Sequence, residues 1–164
     1  MVRQVGIPPS ARSLTTLPRV DYADAFLVDT GPSRGGTAEQ WARRILEDAP
    51  AVIRHRLWWS WLALGLRLGS PQADRLVLGW EVRRTTPTAV VLGARSRLGM
   101  PAELVVERRA HALSLATFVQ QRNALARALW ALVARRHREV VPYLLERGVR
   151  DAPGSRHRDA EAAT

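Results

Sequence analysis

RLVLGWEVRRTTPTAVVLGARSRLGMPAELVVERRAHALSLATFVQQ, residues 75–121, repeats its apolar side chains with a period of two. Thr85-Thr86-Pro87, Leu98-Gly99-Met100-Pro101 and residues 109–111 divide it into RLVLGWEVRR, TAVVLGARSR, AELVVERRA and ALSLATFVQQ. Turn-forming breaks between alternating runs predict four antiparallel strands joined by three hairpin links. Arg95 and Arg97 fall on one strand face with Val91 and Gly93, opposite Val90, Leu92 and Ala94. Their face is therefore expected to be solvated, with Glu81, Glu103 and Glu107 as cross-strand partners.

On the C-terminal side the spacing turns helical. From Asn123 onward, Leu125, Leu129, Leu132, Val133, Val140, Val141, Leu144 and Leu145 predict the longest helix of the chain, with Gly148 as its stop and a bend at Pro142. On the N-terminal side, YADAFLV (residues 22–28) reads as a strand closed by the turn cluster Asp29-Thr30-Gly31-Pro32. Thr37-Ala38-Glu39-Gln40 has the form of a capping box, and Ala38, Trp41, Ala42, Ile45, Leu46 and Ala49 make one apolar stripe after it. Asp48 and Pro50 suit a restart, followed by a second helix to about Leu66 whose end, LWWSWLALGL, is apolar nearly all round. Such a helix is either wedged between other elements or offered to a ligand or a membrane. The predicted class is α+β, a curved antiparallel sheet wrapped around a long C-terminal helix.

The chain has 164 residues, 46% of them hydrophobic, which suits one domain with a substantial core. Residues 1–20 hold Pro8, Pro9 and Pro18 and little periodicity, so a flexible N-terminal segment is expected there. Residues 21–149 form the predicted domain, and residues 150–164 a disordered C-terminal tail. With no cysteine, disulfides and thiolate chemistry are excluded. The longest apolar run is about half of the ~20 residues that a spanning helix needs, and the N-terminus lacks a secretory apolar core, so a cytoplasmic location is expected. All 25 cations are arginine and the formal charge is +10, with the excess on the predicted sheet and last helix. A basic surface attracts nucleic acid or an anionic membrane surface. Nucleic acid is the less expected of the two, because no exposed aromatic platform or recognition helix accompanies the charge.

VDYADAF (residues 20–26), TAEQWAR (37–43), LVLGWEV (76–82), LATFVQQRN (115–123) and ALWALVARRHREVVPYLLERG (128–148) resemble a family of small bacterial proteins placed in the START and polyketide cyclase-like superfamily, SRPBCC. The likeness covers about residues 20–148. It implies the helix-grip fold, a cavity between sheet and terminal helix, and a histidine usual at the position of His137.

The residues themselves carry no GxSxG, GxGxxG or Walker pattern. No two of His55, His111, His137 and His157 stand at metal-ligand spacing on one helix, so neither metal nor cofactor is expected. His137 shares a helical face with Ala126, Trp130, Val133, Val141 and Leu144. On a cavity wall it would anchor a ligand or act as general acid or base; the alternative is a packed or solvated histidine of the basic run Arg135-Arg136-His137-Arg138. Trp58, Trp61, Trp80 and Trp130 suit either core or pocket, having large rings with a single polar handle. The expected function is therefore binding of a small hydrophobic or amphipathic ligand, lipid or polyketide-like, by Trp58, Trp61, Trp80, Trp130 and His137. The alternatives are a cyclase- or dehydratase-type enzyme in which His137 and Glu81 move protons, and a peripheral membrane or partner-binding protein using the tryptophan helix.

Overall fold

The computed structural model describes residues 1–31, 35–70 and 75–152. Strands β1 (Val2–Val5), β2 (Tyr22–Asp29), β3 (Leu66–Arg67), β4 (Leu76–Val77), β5 (Trp80–Thr85), β6 (Ala89–Ser96), β7 (Ala102–Arg108) and β8 (Ala112–Val119) form one curved antiparallel sheet. Its order is β1-β2-β8-β7-β6-β5-β4, with β3 on the end of β6. Helices α1 (Pro9–Leu14), α2 (Ala38–Leu46), α3 (Ala51–Ala63) and α4 (Ala124–Arg150) complete the fold. Among the described residues no helix is long and apolar enough to cross a membrane.

The local signals act as expected at α2 and at the start of α4. The Thr37 hydroxyl accepts from the Gln40 amide at 3.2 Å while Gln40 Oε1 accepts from the Thr37 amide at 2.9 Å, closing the capping box. The stripe Ala38, Trp41, Ala42, Ile45 and Leu46 is buried. Asn123 caps α4 by accepting from the Ala126 amide at 2.8 Å.

Gly148 is not a stop. The helix runs past it to Arg150, and a Cβ at 148 would lie 2.9 Å from Ile45 Cγ1 and 3.2 Å from Ile45 Cα. The missing side chain lets α4 close on α2.

The first expected sheet strand is interrupted. Leu78 and Gly79 have φ of 44° and 84°, and the chain reverses there so that Val77 pairs with Trp80. A two-residue hairpin loop wants positive φ at its central positions, which a leucine adopts only under constraint. The constraint comes from α2: Glu47 Oε1 accepts from the Leu78 amide at 2.9 Å, and Arg43 Nη1 donates to the Leu76 carbonyl at 2.9 Å.

Two expectations are corrected on the outer face of the sheet. Residues 1–20 are not a flexible segment: β1 pairs with β2, and α1 with the chain after it covers the face that carries Val91. Ala11, Ala25, Val91, Val105, Ala116 and Phe118 form a second apolar cluster there, each no more than 1% exposed, so that face is not the solvated one. Arg95 and Arg97 themselves remain exposed beyond its edge. Glu103 is fully buried beside the cluster. It accepts from the Thr16 amide at 2.8 Å and from the Thr15 and Thr16 hydroxyls, and it pairs with Arg83, not with Arg95 or Arg97. The Arg83 side chain lies across Gly93, where a Cβ would be 2.0 Å from Nε. Of the expected C-terminal tail, residues 153–164 lie outside the described residues.

Candidate ligand cavity

The inner face of the sheet, α3 and α4 enclose a cavity of about 370 Å³. Its floor is Met100, Ala102, Leu104, Leu115, Thr117 and Val119 from the β7–β8 region, and α4 contributes Trp130, Val133, His137, Val140, Val141 and Leu144. From α3 come Ile53, Leu57 and Trp61. No residue of α3 is fully buried, which resolves the choice its sequence left open: the helix flanks the cavity instead of being wedged into the core. Val52, Trp59 and Leu62 on it are exposed, Trp59 at 68%.

His137 lines the cavity, and its partner Asp24 is a buried carboxylate outside the lining. On β2 the period of two puts Tyr22, Asp24, Phe26 and Val28 on the inner face, and pairing with β8 sets Asp24 opposite Thr117. Asp24 is 3% exposed. His137 reaches it from α4, with Nε2 at 3.2 Å from Oδ2, and the Tyr22 hydroxyl donates to Oδ2 at 2.6 Å. Trp130 closes the cluster, its ring 4.7 Å from Tyr22 and 5.3 Å from His137. Seven residues separate Trp130 from His137, two helical turns, so one face of α4 presents both.

Burial alone would raise the Asp24 carboxyl, but the hydrogen bond and charge of His137, then the Tyr22 hydroxyl, outweigh it and hold the group below its ordinary value. The Tyr22 phenol is pushed up, first by its own burial and then by the Asp24 carboxylate. A lowered carboxyl stabilises the folded state above its unfolded value, and that contribution is lost as the pH falls through the lowered folded value. The stability advantage of the native chain over Asp24→Asn is accordingly expected to be largest above about pH 4 and to shrink in more acid solution. Urea unfolding of both proteins at neutral and acid pH checks this, and an advantage that does not change with pH contradicts it.

Of the residues picked out in the sequence, Trp61, Trp80, Trp130 and His137 line the cavity. Trp58 does not; its ring lies over Gly79, on the back of the β4–β5 hairpin. Glu81 is exposed, next to Trp80 and thus on the opposite strand face, with Arg83 at 3.9 Å. The acid that meets His137 is Asp24. The signal for it was present as a carboxylate on the same period-two face as Tyr22, Phe26 and Val28, where a strand buries apolar side chains.

Comparison of the chain with protein-family models, with curated proteins and with solved structures finds no match.

Proposed function

We propose that the protein binds a small hydrophobic or amphipathic molecule, lipid or polyketide-like in character, between the sheet and α4 in the manner of a helix-grip protein. The observation that carries this reading is a largely apolar cavity whose wall includes His137, an imidazole held by the buried Asp24 carboxylate. A volume of about 370 Å³ falls in the range of about 300–1,000 Å³ typical of small-molecule sites. A buried carboxylate costs stability unless it is paired, and filling the same space with apolar side chains is often the more stable arrangement. Its retention as the partner of His137 fits a role for that imidazole towards a polar group of a ligand.

The same pair supports acid–base chemistry as a second reading. An ionised Asp24 favours the tautomer with the proton on Nε2, leaving Nδ1 of His137 as the free ring nitrogen for proton transfer.

Native mass spectrometry of protein purified from its own source, together with titration by a neutral apolar dye, tests the proposal. The expected results are a retained small molecule and about one dye site per chain with altered tryptophan emission. His137→Gln separates the two readings: binding kept with turnover of the retained compound lost indicates an enzyme, and binding kept with no turnover in either protein indicates a carrier. Absence of both retained ligand and dye binding overturns the proposal.

A further inference from the structure

Arg56 on α3 and Arg136 on α4 both line the cavity, and both are exposed. They also line an open depression of about 500 Å³ that shares Ser60 with the cavity and adds His55 and Trp59. The two arginines therefore stand where the apolar interior meets solvent, one on each flanking helix. Neither makes a hydrogen bond or ion pair among the described residues, whereas other arginines of the same helices do. Arg54 donates to the Glu47 and Ala49 carbonyls, Arg135 pairs with Glu139 at 3.4 Å, and Arg147 pairs with Asp151 at 2.9 Å.

The cavity thus has a polarity along its depth. Uncommitted guanidinium groups are at the mouth, and His137 lines the interior, with the buried Asp24 carboxylate as its partner outside the lining. An anion is attracted to the mouth, while an apolar tail gains by leaving water for the Trp61 and Trp130 surfaces.

Building on the reading of the cavity as a ligand site, we propose that its ligand is an amphipathic anion, a fatty carboxylate or a similar acyl acid. Arg56 and Arg136 hold the head, and the tail fills the cavity towards His137. Each guanidinium donates charge-assisted hydrogen bonds to the head-group oxygens, and the apolar lining beyond them sets the direction of entry.

Calorimetric titration with decanoate and with decanol, a charged and a neutral ligand of equal chain length, tests this on the full chain. Decanoate is expected to bind about five- to tenfold more tightly than decanol, the size of two solvent-screened contacts, and the preference should fall as salt rises. The double variant Arg56→Gln/Arg136→Gln should remove the preference, with a urea unfolding midpoint close to the native one showing that the variant is folded. Equal binding of the two ligands by the native chain, or a preference for decanoate that survives in the variant, overturns the anionic head while leaving the cavity reading intact. Binding of neither ligand overturns both. Sedimentation with phosphatidylglycerol vesicles, without binding of free decanoate, overturns the proposal in favour of a membrane surface as the source of the anion.

Discussion

Replacing Glu103 by alanine is expected to destabilise the protein by about 3–5 kcal/mol, the cost of removing one partner from a buried ion pair. Glu103 is fully buried and Arg83, which faces it, is mostly covered. Truncation leaves that guanidinium without its main counter-charge and strips the Thr15 and Thr16 hydroxyls and the Thr16 amide of their acceptor. Those three donors come from the segment that closes over Val91, Val105 and Phe118, so the loss spreads from one carboxylate to the attachment of residues 1–20. Deleting residues 1–18 should act in the same direction and more strongly, exposing the outer apolar cluster to water and bringing loss of cooperative unfolding with binding of hydrophobic dyes. Glu103→Gln keeps the shape and one acceptor oxygen, so it should lie between the native chain and Glu103→Ala. Urea denaturation of the three proteins makes the comparison. A Glu103→Ala midpoint equal to the native one would show that the N-terminal segment holds without this anchor.

That segment also marks where the sequence was hard to read. The capping box at Thr37, the helical spacing after Asn123 and the alternation of residues 22–28 and 75–121 are local patterns, and each corresponds to an element close to its expected place. Residues 1–20 have no period because their order comes from a distance: Thr16 meets Glu103, 87 positions away. A signal for the covered outer face did exist. Val90-Val91-Leu92, Leu104-Val105-Val106 and Ala112-Leu113-Ser114-Leu115-Ala116 are nearly continuous apolar or small-residue runs, which mark strands buried on both faces better than strands with one wet side. The choice between the two depends on what covers the sheet, and alternation within a strand is silent on that.

The candidate site divides in the same way. Trp130 and His137 were legible because one helix sets their shared face. Asp24 was not, since it reaches His137 only after β2 pairs with β8 and α4 crosses the inner face, joining residues 113 positions apart. Glu81 is next to Trp80 in sequence, and for that reason it points the other way. Gly148 shows the same limit in reverse: a glycine suited to ending a helix is instead a point of close approach between α4 and α2.

Trp41→Ala and Trp61→Ala are expected to fail in opposite ways. Trp41 has no exposed surface and lies in the main core on α2, so cutting it to alanine removes the transfer energy of a large ring and leaves a void, together about 3–5 kcal/mol. Trp61 is only partly covered and stands on α3, a helix with no fully buried residue. Its packing within the protein includes an edge contact on Trp80 at 5.3 Å between ring centres, an arrangement worth about 0.5–1.5 kcal/mol beyond area. The ring also lines the cavity, where a ligand would supply contacts that the folded chain does not. Trp61→Ala should therefore lower stability by roughly 1–2 kcal/mol while weakening a neutral apolar dye at least tenfold, and tenfold corresponds to about 1.4 kcal/mol of binding. Urea denaturation and dye titration on the same two proteins decide the matter. Should Trp61→Ala unfold as readily as Trp41→Ala and bind the dye as tightly as the native chain, α3 is a core helix and the space beneath it is not a ligand site.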